Sequence, residues 1–256
     1  MSEQIIYEQP LSERIRIFLR LELLFARVDL ALQGDSELHN RDAIEGLLDI
    51  LSVFERSDLK TEIIKELERL IATLTALEHM PGVNTQALEQ LLADLDQALD
   101  ALHLNKSAIG KKLRKNEFLY SIRQRSSIPG GSCDFDLPAY HFWLQHNPSE
   151  IRKQQLLAWL EHFGAAKNAI GLALKLIRGS TGFTDNTAPE GLYQHNLDSN
   201  QANQLIRVKV AKDAPFYPEI SGGKHRFTVR FMHFDIDDRA QQVNDNIDFS
   251  LSCCVM

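Results

Sequence analysis

Apolar residues recur at helical spacing through roughly the first 180 positions and then switch to strict alternation. The short apolar run Gln4–Tyr7, ahead of Pro10, predicts a brief edge strand. Ser12 is placed to cap a helix running to about Leu32 and stopped by Gly34. Its apolar positions, among them Ile15, Phe18, Leu21, Leu23, Phe25 and Val28, cover most of the circumference, which predicts burial on two sides. Arg41–Phe54 is amphipathic through Ile44, Leu47, Leu48 and Leu51. Ser57 or Asp58 caps the next period, carried by Leu59, Ile63, Leu67, Leu70 and Leu74. Pro81-Gly82 turns the chain, Asn84 caps, and Leu88, Leu91, Leu95, Leu99 and Leu102 continue, so these two helices form an antiparallel hairpin.

From Lys111 to Leu144 the pattern predicts a basic helix, a turn at Pro129-Gly130-Gly131, and a short strand around Ser132–Asp136. A second helix opens at Leu137-Pro138 with Asp136 as its N-cap. Asn147-Pro148-Ser149-Glu150 starts another helix with a cap, Pro at N1 and an acid at N3. Gly164 closes it, and an apolar helix over 168–177 follows. Residues 180–203, rich in Gly, Asn, Thr and Ser, read as a long irregular loop. Beyond them Ile206, Val208 and Val210, then Phe227, Val229 and Phe231, then Ile247, Phe249 and Leu251 alternate with polar residues. Three half-buried antiparallel strands with one polar, mostly basic face are expected, and the strand near Cys133 is a candidate to join them. The fold class is therefore α+β, a mostly helical domain with antiparallel helices plus a small antiparallel β-sheet domain. The expected division is helical 1–125, a joining turn and strand 126–137, helical 138–180, and β 181–256.

Composition changes this picture little: 44% hydrophobic and 25% charged residues are ordinary for a globular chain. No apolar run reaches bilayer length, and the N-terminus lacks a basic-then-apolar leader, so a cytosolic protein is expected. Charge changes it more. Residues 1–105 hold 20 acids and 9 bases, whereas residues 106–125 hold seven bases and the single acid Glu117, within a chain of net charge −7. A basic island followed at once by Tyr140, His141, Phe142 and Trp143 suggests a docking surface for a negatively charged partner. Arg16, Arg20 and Arg27 fall on one helical stripe, where a snorkelling edge and a row of guanidinium forks for carboxylates are both open readings. Arg226 and Arg230 share a strand face.

Catalytic signatures are lacking. There is no phosphate-binding loop, dinucleotide fingerprint or nucleophile elbow, so no enzyme and no cofactor are expected. Cys133, Cys253 and Cys254 lack metal-ligand spacing; reduced thiols and no metal are expected. A nucleic-acid-binding reading would use the same basic helix at 106–125 on phosphates, but the 13 acids against 4 bases between Asp42 and Asp100 would repel a duplex.

Five long blocks, YEQPLSERIRIFLRLE (7–22), LLDILSVFERSDLKTEIIKELER (47–69), RQRSSIPGGSCDFDLPAYHFWL (123–144), YPEISGGKHRFTVRFM (217–232) and DFSLSCC (248–254), resemble the ZapD family of cell-division proteins. The resemblance spans nearly the whole chain. It implies a cytoplasmic homodimer at the division site, with neither nucleic-acid nor membrane partners, that binds the acidic, partly apolar C-terminal tail of FtsZ and cross-links its filaments in the Z ring. Arg20 in FLRLE, Arg56 in VFERS, His141 in AYHFWL and Arg226 in KHRFTVRF match family positions, while Glu117 stands where some relatives are basic. With the basic positions read directly, the expected partner-binding set is Arg16, Arg20, Arg56, Lys112, Arg114, Arg123, His141, Arg226 and Arg230.

Overall fold

The computed structural model describes residues 3–56, 58–78, 80–104, 107–198, 200–223 and 225–256, without the side chain of Arg56. Among these residues are eight α-helices and eight β-strands, an α+β chain. It divides into two compact units, Ile17–Ala173 and Met1–Arg16 with Leu174–Met256.

The first unit is helical. It draws on α1 (Glu13–Ala31), α2 (Glu37–Arg56), α3 (Leu59–Thr75), α4 (Thr85–Leu104), α5 (Glu117–Ser126), α6 (Pro138–His146), α7 (Ser149–Glu161) and α8 (Gly164–Gly179). In α1 a single stripe, Phe18, Leu21, Phe25 and Val28, is buried, together with Ile15 at the start of the helix. Leu23 and Leu30 are 70% and 66% exposed, so α1 is covered on one side and not the two that its composition suggested. Ser12 does cap it, its Oγ accepting from Ile15 N–H at 3.3 Å. Helices α3 and α4 form the expected hairpin. Asp58 caps α3 by accepting from Thr61 N–H, and Asn84 accepts from Ala87 N–H at 3.1 Å, while Ser57, the alternative cap, lies outside the described residues. The hairpin buries Ile63, Leu67 and Leu70 with Leu95, Ala98 and Leu102, and also the carboxylate of Glu66, which Arg69 holds one turn on.

Four local expectations are corrected here. The basic stretch is not one helix: a 3₁₀ turn at Leu113–Lys115 ends at Asn116, whose side chain caps α5 by accepting from Leu119 N–H at 3.0 Å. Residues 127–136 form successive turns instead of a strand. Asp136 does not cap α6; its carboxylate accepts from Cys133 Sγ and faces Arg125 at 3.8 Å. Likewise Pro148, not Asn147, occupies the cap position of α7, and Asn147 turns back to donate to Trp143 O at 2.9 Å. The open carbonyls at the end of α6 are met by the buried Arg152, which donates to Leu144 O at 2.6 Å and to Asn147 O at 2.8 Å. Aromatic Phe118, Tyr140, Trp143 and Trp159 pack on one another at centroid distances of 5.7–6.3 Å. Tyr140 and Trp143 are thus core residues, whereas Phe142 is exposed and stacks on His146.

The second unit is a pair of antiparallel sheets. One has the order β1 (Gln4–Pro10), β4 (Asn203–Ala211), β8 (Ile247–Val255), β2 (Thr184–Ala188); the other has β3 (Leu192–Asn196), β6 (Arg226–His233), β5 (Phe216–Gly222), with β7 (Gln241–Gln242) beside β6. Strand β1 lies at an edge, as its proline predicts. Residues 180–203, read as irregular, contain β2 and β3; their polar residues sit on outer faces, where composition does not distinguish a strand from a loop. The three alternating segments form strands, but β6 lies in a different sheet from β4 and β8. Period-2 alternation fixes which face is buried and not which strand is the neighbour. Val208 and Leu251 of one sheet meet Val229 and Phe231 of the other in a shared core. Behind the first sheet, Glu8 accepts from Arg178 Nε and Nη2 (2.9 and 2.7 Å) and from Arg207 Nε (3.0 Å), while Phe183 lies under Arg207 and Lys209. The basic face expected of strand β4 is therefore covered and partly neutralised.

Candidate functional site

Five of the ten basic positions singled out from the sequence, Arg16, Arg27, Arg114, Arg123 and His141, face an acid. On α1, Arg16 lies 3.4 Å from Glu13. Arg27 is bracketed by Asp42, Glu45 and Asp49 of α2 at 3.4–3.9 Å, and only Arg20 of the stripe is exposed with no ion pair among the described residues. Arg56 ends α2, and its side chain lies outside the described residues. Arg114 and Arg123, nine residues apart in sequence, are brought together by Glu55. Arg123 donates to Glu55 Oε1 at 2.7 Å and its second nitrogen lies 2.6 Å from Oε2, a bidentate pair. Arg114 donates to Phe54 O at 3.0 Å and to Ile109 O at 3.3 Å, with its Nε 3.7 Å from Glu55. The Arg123 hydrogen bonds hold the Glu55 carboxyl below its usual range despite partial burial.

His141 Nδ1 lies 3.1 Å from Asp134, in the turn before α6. The same carboxylate is met by Arg41 at 3.3 Å, and Arg41 also donates to Ser132 O at 2.9 Å and lies over the Tyr140 ring. This turn is braced from three helices and carries the 84% exposed Phe135 at its tip. In the β unit Arg226 and Arg230 are exposed on the outer face of β6, with Arg230 in register with Glu219 on one side and Leu192 on the other.

Lys112 stands with Lys111 at a recess of about 370 Å³, lined further by Ala101 and Leu104 at the end of α4, Ser107, and His162 at the end of α7. Sequence reasoning missed Lys111 as a partner of this recess, and also His162, Glu55, Arg41 and Asp134. Each meets residues far away in the chain, and no local spacing records such a meeting. Glu55 is the instructive case, because it stands beside Arg56 in VFERS yet engages Arg123.

Chemistry of other kinds finds little to build on. Cys133, Cys253 and Cys254 are free thiols, and burial pushes the Cys253 thiol up to about 11, far from a reactive thiolate. Among the described residues there is no metal-ligating cluster of three or more side chains, and no helix is long and apolar enough to cross a membrane.

Comparison with known proteins gives one consistent answer. The family model described as ZapD, cell division protein, matches residues 19–230. The chain is 39% identical over 256 residues to a protein named cell division protein ZapD from Methylococcus capsulatus, covering all of both chains. It is 38% identical over 250 residues to the protein of the same name from Nitrosomonas europaea (98% of this chain, 95% of the relative), and 39% identical over 251 residues to that of Bordetella petrii (98% and 99%).

Proposed function

Since this chain belongs to the ZapD family of cell-division proteins, we propose that it acts in the cytoplasm at the division site as a homodimer that binds the C-terminal tail of FtsZ and cross-links FtsZ filaments. The observation that carries the reading is that several basic positions near the expected site are left without an acid on an otherwise acidic chain. Arg20, Lys111, Lys112, Arg226 and Arg230 are exposed, and none of them makes an ion pair among the described residues. An acidic tail would gain charge-assisted contacts there without displacing an internal carboxylate. Self-association is supported by α1, where Leu19, Leu23, Ala26 and Leu30 follow one another at spacings of four, three and four residues. The two large leucines at 23 and 30 are mostly exposed. A two-fold dimer needs only one tail site per chain to bridge two filaments.

Co-sedimentation with FtsZ and with tail-deleted FtsZ, alongside light scattering of the protein alone, tests this reading. Pelleting with intact FtsZ only, by a particle of twice the chain mass, is the expected result. Equal pelleting with the truncated form would overturn the tail as the target.

A further inference from the structure

Resting on the tail-binding reading and going further, we propose that the recess bounded by Leu104, Ser107, Lys111, Lys112 and His162 is the subsite that receives the carboxylates of an acidic peptide. Three features support it. The loop that carries the lysines is anchored from beneath: Ile109 and Leu113 are 6% and 4% exposed, and Arg114 ties Ile109 O to Phe54 O of α2. Gly110 adopts φ +71°, and a Cβ there would stand 2.8 Å from Leu51 Cδ1 and 3.1 Å from Phe163, so the close seating depends on glycine. The two lysine side chains therefore project from an anchored backbone, so little main-chain ordering is left for a ligand to impose.

The second feature is charge. Arg27, Arg114, Arg123 and His141 all face a carboxylate, whereas the described residues lining this recess include none. Helices α4 and α7 both end at the recess, and each helix C-terminus contributes roughly half a negative charge. Lys111 and Lys112 outweigh those ends by about one unit. This balance suits one or two carboxylates better than a highly charged phosphate chain.

The third is the apolar wall. Leu104 is 84% exposed, and Ala101 and Ala108 continue the surface beside the lysines. A peptide with an apolar residue next to its acid would bury that residue against this wall while a lysine meets the carboxylate.

The test is anisotropy titration of a labelled FtsZ tail peptide, and of the same peptide with its acids replaced by amides, against the full-length protein. Lys111→Glu/Lys112→Glu should weaken the acidic peptide at least tenfold. Ala108→Trp, which fills the recess and keeps both lysines, should weaken it severalfold, and the amide peptide should bind poorly to every form. Lys153→Glu/Lys175→Glu changes the net charge equally elsewhere and should leave most of the affinity. Wild-type binding with equal losses in the two lysine double variants, or with no loss in Ala108→Trp, would overturn the subsite and leave tail binding standing. Absence of wild-type binding would remove the tail reading itself, and the subsite with it.

Discussion

Glu55→Gln removes one negative charge from between Arg114 and Arg123 with almost no change in shape. The carboxylate is 24% exposed, and its bidentate contact with Arg123 is made at 2.6–2.7 Å. Hydrogen bonds to charged groups contribute about 1.5–3 kcal/mol, and partial exposure places this pair near the lower part of that range, about 2 kcal/mol. For a domain of this size that corresponds to a melting temperature lower by roughly 4–8 °C. The pH dependence gives the result a signature. Arg123 holds the folded-state carboxyl below its unfolded value, so its contribution is fully present above the unfolded pKa of about 4.3 and is lost as pH falls through the lower folded value. Thermal melts of wild type and variant should therefore differ by the full amount at pH 7 and draw together as pH falls from the unfolded value through the lower folded one. Tail affinity should rise, because Glu55 competes with any incoming carboxylate for Arg123. An unchanged gap at pH 3, or weaker tail binding by the folded variant, would refute the assignment of Glu55 as an internal occupant of this fork.

Other perturbations separate docking from architecture. Arg20→Glu should lower tail affinity at least about tenfold, equivalent to 1.4 kcal/mol, with circular dichroism unchanged; bundling should fall more steeply because both sites of a dimer are needed. Leu23→Glu/Leu30→Glu should reduce the light-scattering mass to near that of a single 29.1 kDa chain, and retention of the larger mass would move the interface off α1. Glu8→Gln should destabilise the β unit by about 3 kcal/mol, since it removes the negative charge to which both Arg178 and Arg207 donate. Faster hydrogen exchange along β1 and β4 is the measurement, and wild-type protection would show the triad to be dispensable.

The sequence was most legible where one local rule decides the outcome. Asp58, Asn84 and Ser12 cap where a short polar side chain precedes an apolar period, and the α3–α4 hairpin follows from two leucine periods joined by Pro81-Gly82. It was least legible where a polar side chain had two uses. Asp136 could cap α6 or accept from Cys133, and the tight turn at 133–137, with both Asp136 and Leu137 N–H returning to Cys133 O, selects the second. Strands β2 and β3 escaped notice because an edge strand with a wet outer face needs few apolar residues. The candidate site was legible as a list of cations but not as a place, since spacing cannot tell a free guanidinium from one that another helix has already matched.

That difference alters how charge along the chain is to be weighed. Seven bases against one acid between residues 106 and 125 look like a strongly positive helix. In the folded helical unit Arg114 and Arg123 face Glu55, and Arg125 faces Asp136, while Lys106 is outside the described residues. What remains is Lys111, Lys112 and Lys115, on a turn and not along a helix. The acids that do the neutralising come from α2 and from the turn before α6, far from these bases in sequence. On the proposed reading, an acidic partner would meet a short cluster with a concave floor instead of a long positive face. The proposed subsite predicts selectivity for a compact group of carboxylates over an extended polyanion, and competition between the tail peptide and polyphosphate at matched charge would measure it. Equal displacement by the two would show that charge alone governs binding.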